Sequence, residues 1–259
     1  MIESKGYHLI FWANNMTCPV DMILKGIHVL IDLKHNILTP SRYFEKIIKN
    51  DDESIRKLIQ RRNRENIGFK SLLLFNSSGD VSMRYSISEP GTCLISTIII
   101  EFIKNPFVGT NPELSVNDIV GLVKSYVEIY KPFRGWLENQ SNNDIIFEEE
   151  AIESYHETPP GSGNWAKSIT YTSALDTIDR QKVPETIHWV NYFDNSIVDR
   201  IGRSLLLSAD VFLVEELTDG VLLVLQSEPF DVANPIHLRR QQVINQYLHL
   251  PELQKKYRR

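Results

Sequence analysis

Residues 67–103 decide the fold class. They read IGFKSLLLF (67–75), NSSGD (76–80), VSMRYSIS (81–88) and, after a break, CLISTIIIEFI (93–103). The three long runs have the length, the period-two alternation and the β-branched and aromatic content that are typical of strands. NSSGD joins the first two runs with residues that tolerate left-handed backbone conformations, as hairpin turns require. This stretch therefore predicts three consecutive antiparallel strands.

Helical patterns precede these strands. After a first strand at Tyr7–Ala13, apolar residues recur at helical spacing from Pro19 to about Ile31. Thr39-Pro40 has the form of a helix start, because threonine is a good N-cap and proline suits the first helical position. We therefore expect a helix from this point to Ile48, and a further short helix after Asp52.

The elements after residue 103 begin with the clearest helix of the chain. Ser115 and Asp118 have the spacing of a capping-box variant, and Pro132 ends the helix. Beyond a polar stretch, residues 186–193 predict a strand, which is followed by a helix, a second hairpin and a final helix that begins at Asn234-Pro235. Runs of helix and hairpin without βαβ alternation predict an α+β fold in which one or more antiparallel sheets pack with helices.

The domain organisation follows from the same pattern. We interpret residues 1–259 as a single domain. Within it, residues 1–137 and 165–259 are possible halves, each with the order strand, helix, hairpin, helix. The segment that would join them, residues 138–164, is polar and acidic and contains a Pro-Gly loop. No residue-level identity supports a duplication, so the two-half interpretation stays open.

Charge is distributed unevenly along the chain. Its net charge is −5, but residues 144–231 hold 17 acids and 5 bases, whereas residues 232–259 hold 6 bases and 1 acid. A block with a net charge of −12 argues against a nucleic-acid-binding surface there, since such a surface needs positive charge. The block is interpreted as a solvated acidic face or as a surface that docks onto a basic partner.

Motifs of catalysis and cofactor binding are missing. The chain has no phosphate-binding glycine loop, no G-x-S-x-G elbow and no H-E-x-x-H pair. Its two cysteines, Cys18 and Cys93, are too few for a cysteine-only metal site. We therefore expect no enzymatic activity, no cofactor and no metal. No secretory signal and no long apolar segment is visible, so a cytoplasmic location is expected.

Several short segments together resemble a known family. They are Asp51–Arg64 followed by Ile67-Gly68-Phe69, the turn at Asn76, Val116–Tyr130 followed by Lys131-Pro132, the W-x-x-Y strand within His188–Phe193, Thr218–Leu223 and Glu228–Asp231. This set resembles the immunity protein 52 family of bacterial polymorphic-toxin and type VI secretion systems. The resemblance implies an α+β immunity protein that binds and neutralises a cognate nuclease toxin of the restriction-endonuclease-fold type. It also implies no catalytic residues.

The partner predicted on this basis is the toxin protein, with no direct nucleic-acid or membrane contact. An acidic surface could cover the basic cleft of a nuclease. Candidate toxin-binding residues are the acidic side chains Asp144, Glu148, Glu149, Glu150, Glu153 and Glu157, the aromatic side chains Trp136, Tyr155 and Trp165, and, on the second hairpin, Glu215, Glu216 and Asp219. For the acidic run, simple solvation remains the alternative.

Two other functions remain open. One is a small hydrolase whose site is assembled from residues distant in sequence, which a convergence of histidine and carboxylate side chains would favour. The other is a non-catalytic scaffolding protein. Whether the protein forms a homodimer is also open.

Overall fold

The computed structural model describes ten ranges of the chain: 5–14, 20–33, 42–43, 46–47, 51–65, 69–76, 80–88, 95–107, 114–139 and 183–257. The strands in these ranges are β1 Lys5–Asn14, β2 Arg42–Tyr43, β3 Lys46–Ile47, β4 Phe69–Phe75, β5 Val81–Ser88, β6 Ile95–Lys104, β7 Arg134–Asn139, β8 Val190–Asp194, β9 Leu213–Leu217 and β10 Gly220–Val224. The helices are α1 Val20–Asp32, α2 Asp52–Glu65, α3 Val116–Tyr130, α4 Asn195–Ile201, α5 Arg203–Leu207, α6 Pro235–Tyr247 and α7 Leu250–Tyr257.

The described strands form one sheet in the order β3-β2-β4-β5-β6-β1-β7-β8-β10-β9. All of the neighbouring pairs are antiparallel. The predicted α+β class with an antiparallel sheet is therefore confirmed, and both predicted halves contribute to the same sheet. In each half the opening strand pairs with the last strand of the antiparallel run that follows. In the first half β1 pairs with β6 of the run β4-β5-β6, and in the second β8 pairs with β10 of the hairpin β9-β10. The division into halves itself stays a prediction.

The first face of the sheet carries the main core. Leu9 of β1 lies between Ile100 of β6 and Leu137 of β7, and all three are fully buried. Helix α3 packs on this face, because the ring of Tyr126 stacks on that of Phe11 with 5.3 Å between their centres. Directly paired residues of antiparallel strands point to the same face. The odd-numbered residues of 7–13 therefore all lie on the first face, as the alternation in the sequence predicts.

Tyrosine hydroxyls fix α1 against α3. Tyr126 donates a hydrogen bond to the carbonyl oxygen of Gly26, and Tyr130 donates to that of Met22, both at 2.8 Å. A Cβ on Gly26 would lie 2.0 Å from the hydroxyl oxygen of Tyr130 and 2.6 Å from that of Tyr85. Glycine at position 26, which weakens a helix in isolation, is therefore required by the close approach of these hydroxyls.

Helices lie on both faces of the sheet at its β9 end. Lys124 of α3 forms an ion pair with Glu215 of β9 at 2.6 Å, whereas Arg203 of α5 pairs with the next residue, Glu216. Successive side chains of a strand point to opposite faces, so α3 and α5 cover opposite faces here. Helix α5 therefore covers the second face of the sheet at β9. The candidate site lies on the same face, nearer the middle of the sheet, between β5 and β7.

Two element predictions are wrong. Residues 42–43 and 46–47 form short paired strands and not part of a helix, and Arg42 pairs with Phe75 of β4. Residues Glu138 and Asn139, which were assigned to the joining segment, belong to β7. In both places pairing with a neighbouring strand outweighs the local pattern.

Three predicted helix caps, Ser115, Asp194 and Asn234, are confirmed, whereas the predicted cap Thr39 lies outside the described residues. The side chain of Ser115 accepts from the backbone N–H of Asp118, and Asp118 accepts from that of Ser115, which completes a capping box at the start of α3. At α4 the side chain of Asp194 accepts from the backbone N–H of Ile197, and at α6 that of Asn234 accepts from the N–H of Ile236. These caps satisfy helix N–H groups that would otherwise lack partners.

Candidate functional site

The candidate site lies on the second face of the sheet, over β1, β6 and β7. Ile10 of β1 is paired with Ile99 of β6 on one side and with Trp136 of β7 on the other. These three side chains form a small apolar cluster that is separate from the main core, and Trp12 packs against it. Charged side chains surround the cluster, which distinguishes this part of the sheet from the first face.

Arg134 lies over two indole rings. Its guanidinium carbon is 4.7 Å from the ring centre of Trp136 and 5.4 Å from that of Trp12, and the two indoles meet edge to face at 4.4 Å. Burial lowers the pKa of Arg134 to about 10, and the carboxylates of Glu138 and Glu185 oppose that shift. The guanidinium is therefore charged at pH 7 and is stabilised by the aromatic faces and the two carboxylates.

His188 also packs against Trp136. The imidazole stacks on the indole at 5.6 Å, and its Nδ1 is 3.2 Å from Oε2 of Glu138. Two hydrogen bonds between the backbone of His188 and the side chain of Asn191, at 2.9 and 2.8 Å, hold the histidine in place. Burial, with a further contribution from the positive charge of Arg134, lowers the pKa of His188 well below its ordinary value. Its imidazole is therefore neutral at pH 7.

Three buried nitrogen atoms of this group lack a hydrogen-bond partner within the described part of the chain. They are Nε of Arg134, Nε1 of Trp136 and Nδ1 of His188, whose contact with Glu138 is close but does not have the direction of a hydrogen bond. An unpaired buried polar atom costs about 1–3 kcal/mol and is uncommon in native proteins. The cluster therefore has hydrogen-bonding capacity for a water molecule or another polar group.

A second charged group lies on the same face, on β5 and β6. Glu101 accepts a hydrogen bond from the hydroxyl of Ser82, and its carboxylate lies 4.0 Å from Arg84 and 3.9 Å from His8. Ser82 is fully buried. A serine nucleophile needs a hydroxyl that reaches the substrate and donates to a base such as histidine. The Ser82 hydroxyl instead is buried and donates to a carboxylate, so it lacks the exposed hydroxyl and histidine partner of such a nucleophile.

The hydrolase alternative depends on the pair formed by His188 and Glu138. Histidine and carboxylate do converge here, as that alternative requires. A catalytic base must however lie about 2.6–3.2 Å from its nucleophile, and no described hydroxyl or thiol contacts His188. The geometry therefore favours a binding or structural role for this pair.

Metal-binding groups and membrane-spanning helices are missing from the described ranges. No three His, Cys, Asp or Glu side chains there lie close enough together to hold a metal ion. None of the helices there combines the length and the apolar character that crossing a membrane requires. For the chain as a whole, the expected absence of metal and cofactor stays a prediction.

Four of the predicted toxin-binding residues lie in the described ranges. Trp136 is 7% exposed and belongs to the apolar cluster of the candidate site. The three hairpin acids each pair with a base: Glu215 with Lys124, Glu216 with Arg203, and Asp219 with Lys131. The bases reduce the negative field of the hairpin. Outside the described residues lie Asp144, Glu148, Glu149, Glu150, Glu153, Tyr155, Glu157 and Trp165.

Sequence reasoning missed Arg134, Glu138, His188 and Trp12 as members of one site. A signal was present, because Arg134, Trp136 and Glu138 alternate along five residues, as His8, Ile10 and Trp12 do. Alternation of charged and aromatic residues is the pattern of a strand with one polar-aromatic face. The alternation begins two residues after Pro132, where the sequence pattern predicts only the end of a helix.

Comparisons with known proteins give a fold likeness. No family model matches the chain, and no curated protein matches it in sequence. Among solved structures, the chain is similar to the Pseudomonas aeruginosa T6SS protein PA0821, with a TM-score of 0.59 and 12% identity over 94% of this chain and 72% of that chain. At this identity the likeness shows a shared fold. Membership of the immunity protein 52 family is not supported by any match and stays an interpretation.

Proposed function

We propose that this chain is an immunity protein linked to type VI secretion, which binds a cognate toxin and neutralises it. The observation that carries the proposal is the likeness in fold, over 94% of the chain, to a protein of a type VI secretion system. The short segments that resemble the immunity protein 52 family point the same way. Fold likeness alone does not determine function, so the chemistry of the site is the second argument.

The site supports binding better than turnover. His188 is neutral and has no hydroxyl or thiol against it among the described residues, and Ser82 is buried with its hydroxyl on Glu101. Trp12, Arg134 and Trp136 on β1 and β7 instead pack against one another on the sheet face. A rigid sheet that presents loops and helices suits an inhibitor that acts by steric and electrostatic cover.

The proposed toxin is a nuclease, and the proposed contact is acidic. Residues 144–231 have a net charge of −12, from 17 acids and 5 bases. A nuclease cleft must be positive to hold nucleic acid, so an acidic partner competes for the same field. An interface of about 1,600 Å² is of standard size for a stable inhibitor complex. The acids at 144–157 remain the predicted contacts.

The test is rescue by co-expression. The toxin encoded beside this chain's gene is expressed in cells with and without this protein, and we expect survival only when both are made. The two proteins should also co-purify. Continued killing with both proteins soluble and correctly paired would contradict the proposal.

The convergence of His188 and Glu138 is the observation behind one competing function, a hydrolase. That function predicts turnover of a substrate by the purified protein and its loss in His188→Gln. We expect neither on a panel of ester, peptide, glycoside and phosphodiester substrates. Rescue from the toxin by a His188→Gln variant that remains folded would also argue against catalysis.

A further inference from the structure

Helix α6 presents an apolar stripe to the solvent. The side of the helix that faces the protein is formed by His237, Gln241, Ile244 and the following Leu248, all of which are buried. On one flank, Ile236, Val243 and Tyr247 are 74%, 53% and 38% exposed. Their spacing of seven and four residues places them in one line along the helix. Three large apolar side chains in line are therefore left uncovered.

The stripe continues onto α5. The hydroxyl of Tyr247 lies 2.9 Å from Oγ of Ser208, and the preceding residue, Leu207, is 41% exposed. Single exposed apolar residues are common, but contiguous apolar patches on a monomer mark interaction sites. We call Leu207, Ile236, Val243 and Tyr247 the α6 stripe.

Positive charge borders the α6 stripe. Arg239 and Arg240 are exposed on the same helix, and neither forms an ion pair with an acid of the described ranges. Residues 232–259 together carry 6 bases and 1 acid. Interface hot spots are enriched in arginine and tyrosine, which this surface combines with aliphatic residues. The aliphatic groups of such a site exclude water from the charged contacts.

We propose that the α6 stripe docks an apolar surface of the cognate toxin that is bordered by carboxylates. This inference rests on the proposed function and adds a second contact to it. The acidic residues 144–157 would meet the positive cleft of the toxin, whereas the α6 stripe meets a part of the toxin with the opposite charge. Carboxylates on the partner follow from the guanidinium groups of Arg239 and Arg240, since complementary charges steer association and fix the register of an interface.

A second copy of this chain fits the α6 stripe less well. In a two-fold symmetric dimer the same patch faces itself. One interface would then hold Arg239 and Arg240 of both copies, four positive charges in all, and α6 has no acidic residue to compensate them. Like charges across an interface are unfavourable.

The test measures binding of an inactive form of the toxin encoded beside this chain's gene. Ile236→Asp with Val243→Asp places two charges in the α6 stripe. The matched control, Gln242→Asp with Gln246→Asp, places the same charges at exposed positions on the other flank of the helix. We expect the first pair to raise Kd about thirtyfold or more, as the loss of hot-spot contacts does, and the control to change Kd by less than about threefold. Both variants should keep the circular dichroism spectrum of the wild type.

Charge reversal tests the carboxylates of the partner. Arg239→Glu with Arg240→Glu should slow association and weaken its salt dependence, whereas Lys255→Glu with Lys256→Glu, on α7, should do so much less. Sedimentation of the protein alone tests whether a second copy of this chain occupies the α6 stripe. We expect a monomer for the wild type and for every variant.

The outcomes separate the two proposals. If the wild type does not bind the toxin, the proposed function fails and this inference fails with it. If the wild type, the variant Ile236→Asp with Val243→Asp and the variant Arg239→Glu with Arg240→Glu all bind the toxin equally well, this inference alone is overturned. A concentration-dependent dimer that is abolished by Ile236→Asp with Val243→Asp also overturns it, because the stripe would then be covered by a second copy.

Discussion

The guanidinium carbon of Arg134 lies 4.7 Å from the ring centre of Trp136, two residues further along the same strand. Both side chains stand on the second face of the sheet, opposite Trp12 and Ile10 of β1. The half-buried guanidinium therefore lies against two aromatic faces, with the buried carboxylate of Glu138 and the exposed carboxylate of Glu185 near it. Because these groups replace part of its hydration, removing the charge should affect stability as well as local packing.

Arg134→Met should lower the free energy of unfolding by about 2 kcal/mol. The substitution keeps an unbranched apolar stem but removes a desolvated cation–π contact, and it leaves Glu138 buried without that positive charge nearby. Urea unfolding followed by tryptophan fluorescence measures the change. The control is Arg84→Met, whose side chain is 43% exposed and 4.0 Å from Glu101; its cost should stay below about 1 kcal/mol. Equal losses in the two variants would contradict the role given to the indole rings.

Stability should fall as the pH is lowered from 7 towards 5. Burial and Arg134 hold the pKa of His188 well below its ordinary value, whereas the same histidine in the unfolded chain titrates near 6.5. Below pH 7 the unfolded state therefore binds more protons than the folded state, so acid favours unfolding. The slope should approach about 1.4 kcal/mol per pH unit below the unfolded pKa. Urea titrations at a series of pH values measure it.

His188→Gln provides the test of that assignment. This variant should lose most of the dependence between pH 7 and pH 5, whereas His28→Gln should keep it, because the His28 side chain is exposed and lies outside the buried site. A wild-type slope that survives in His188→Gln would assign the pH dependence to another group.

Prediction from sequence succeeded where the information is local. The hairpin of β4 and β5 has its turn residues between two alternating runs, and α3 has its capping box and an apolar stripe that ends at Pro132. In these elements the residues that determine the structure are neighbours in sequence. Turn chemistry and periodicity therefore suffice to predict them.

Prediction failed where distant pairing decides. Residues 42–47 carry aromatic and β-branched side chains that fit either a helix or a strand, and pairing of Arg42 with Phe75 selects the strand. The candidate site has the same origin. Trp12 and Arg134 meet because β1 pairs with β7. Trp136 contacts His188 because β8, which begins two residues after His188, pairs with the other edge of β7. No local pattern specifies those registers.

Two glycines should respond oppositely to alanine. Gly121→Ala should stabilise the protein by about 0.5–1 kcal/mol, because position 121 lies in α3 with no atom within 4 Å of a new Cβ. Gly26→Ala should destabilise it by about 1–2 kcal/mol, since its Cβ would meet the hydroxyls of Tyr130 and Tyr85 and the cost of overpacking exceeds the gain in helix propensity. Thermal unfolding of both variants measures the difference. A stabilised Gly26→Ala would show that these tyrosines move aside freely.

Removal of the α3 cap should cost about 1 kcal/mol. Ser115→Ala leaves the N–H of Asp118 without its side-chain acceptor at the start of the helix. Ser125→Ala is the control on the same helix, because its hydroxyl only donates to the carbonyl oxygen of Gly121 at 3.0 Å; we expect a change below about 0.5 kcal/mol. Similar effects of the two variants in chemical denaturation would mean that the capping box adds nothing.

The acidic residues should control the rate at which the toxin binds. Reversing Glu148, Glu149 and Glu150 together to lysine changes the local charge by six units, whereas one exposed pair contributes only about 0.2–1 kcal/mol. Charges at the border of an interface act mainly on association, over a Debye length of about 8 Å at physiological salt. The triple reversal should therefore slow association at least about tenfold and weaken its salt dependence, with dissociation little changed. Stopped-flow binding at several salt concentrations measures both effects.

The hairpin acids are the matched control for that reversal. Glu215, Glu216 and Asp219 already pair with Lys124, Arg203 and Lys131, so lysines at these three positions remove the same charge from a surface that is largely neutralised. We expect a smaller effect on the association rate but a measurable loss of stability, because each reversal places two bases together. If the hairpin variant slows association and the variant at 148–150 does not, the toxin docks on the hairpin. The acidic run is then a solvated segment, and the predicted contact at 144–157 is wrong.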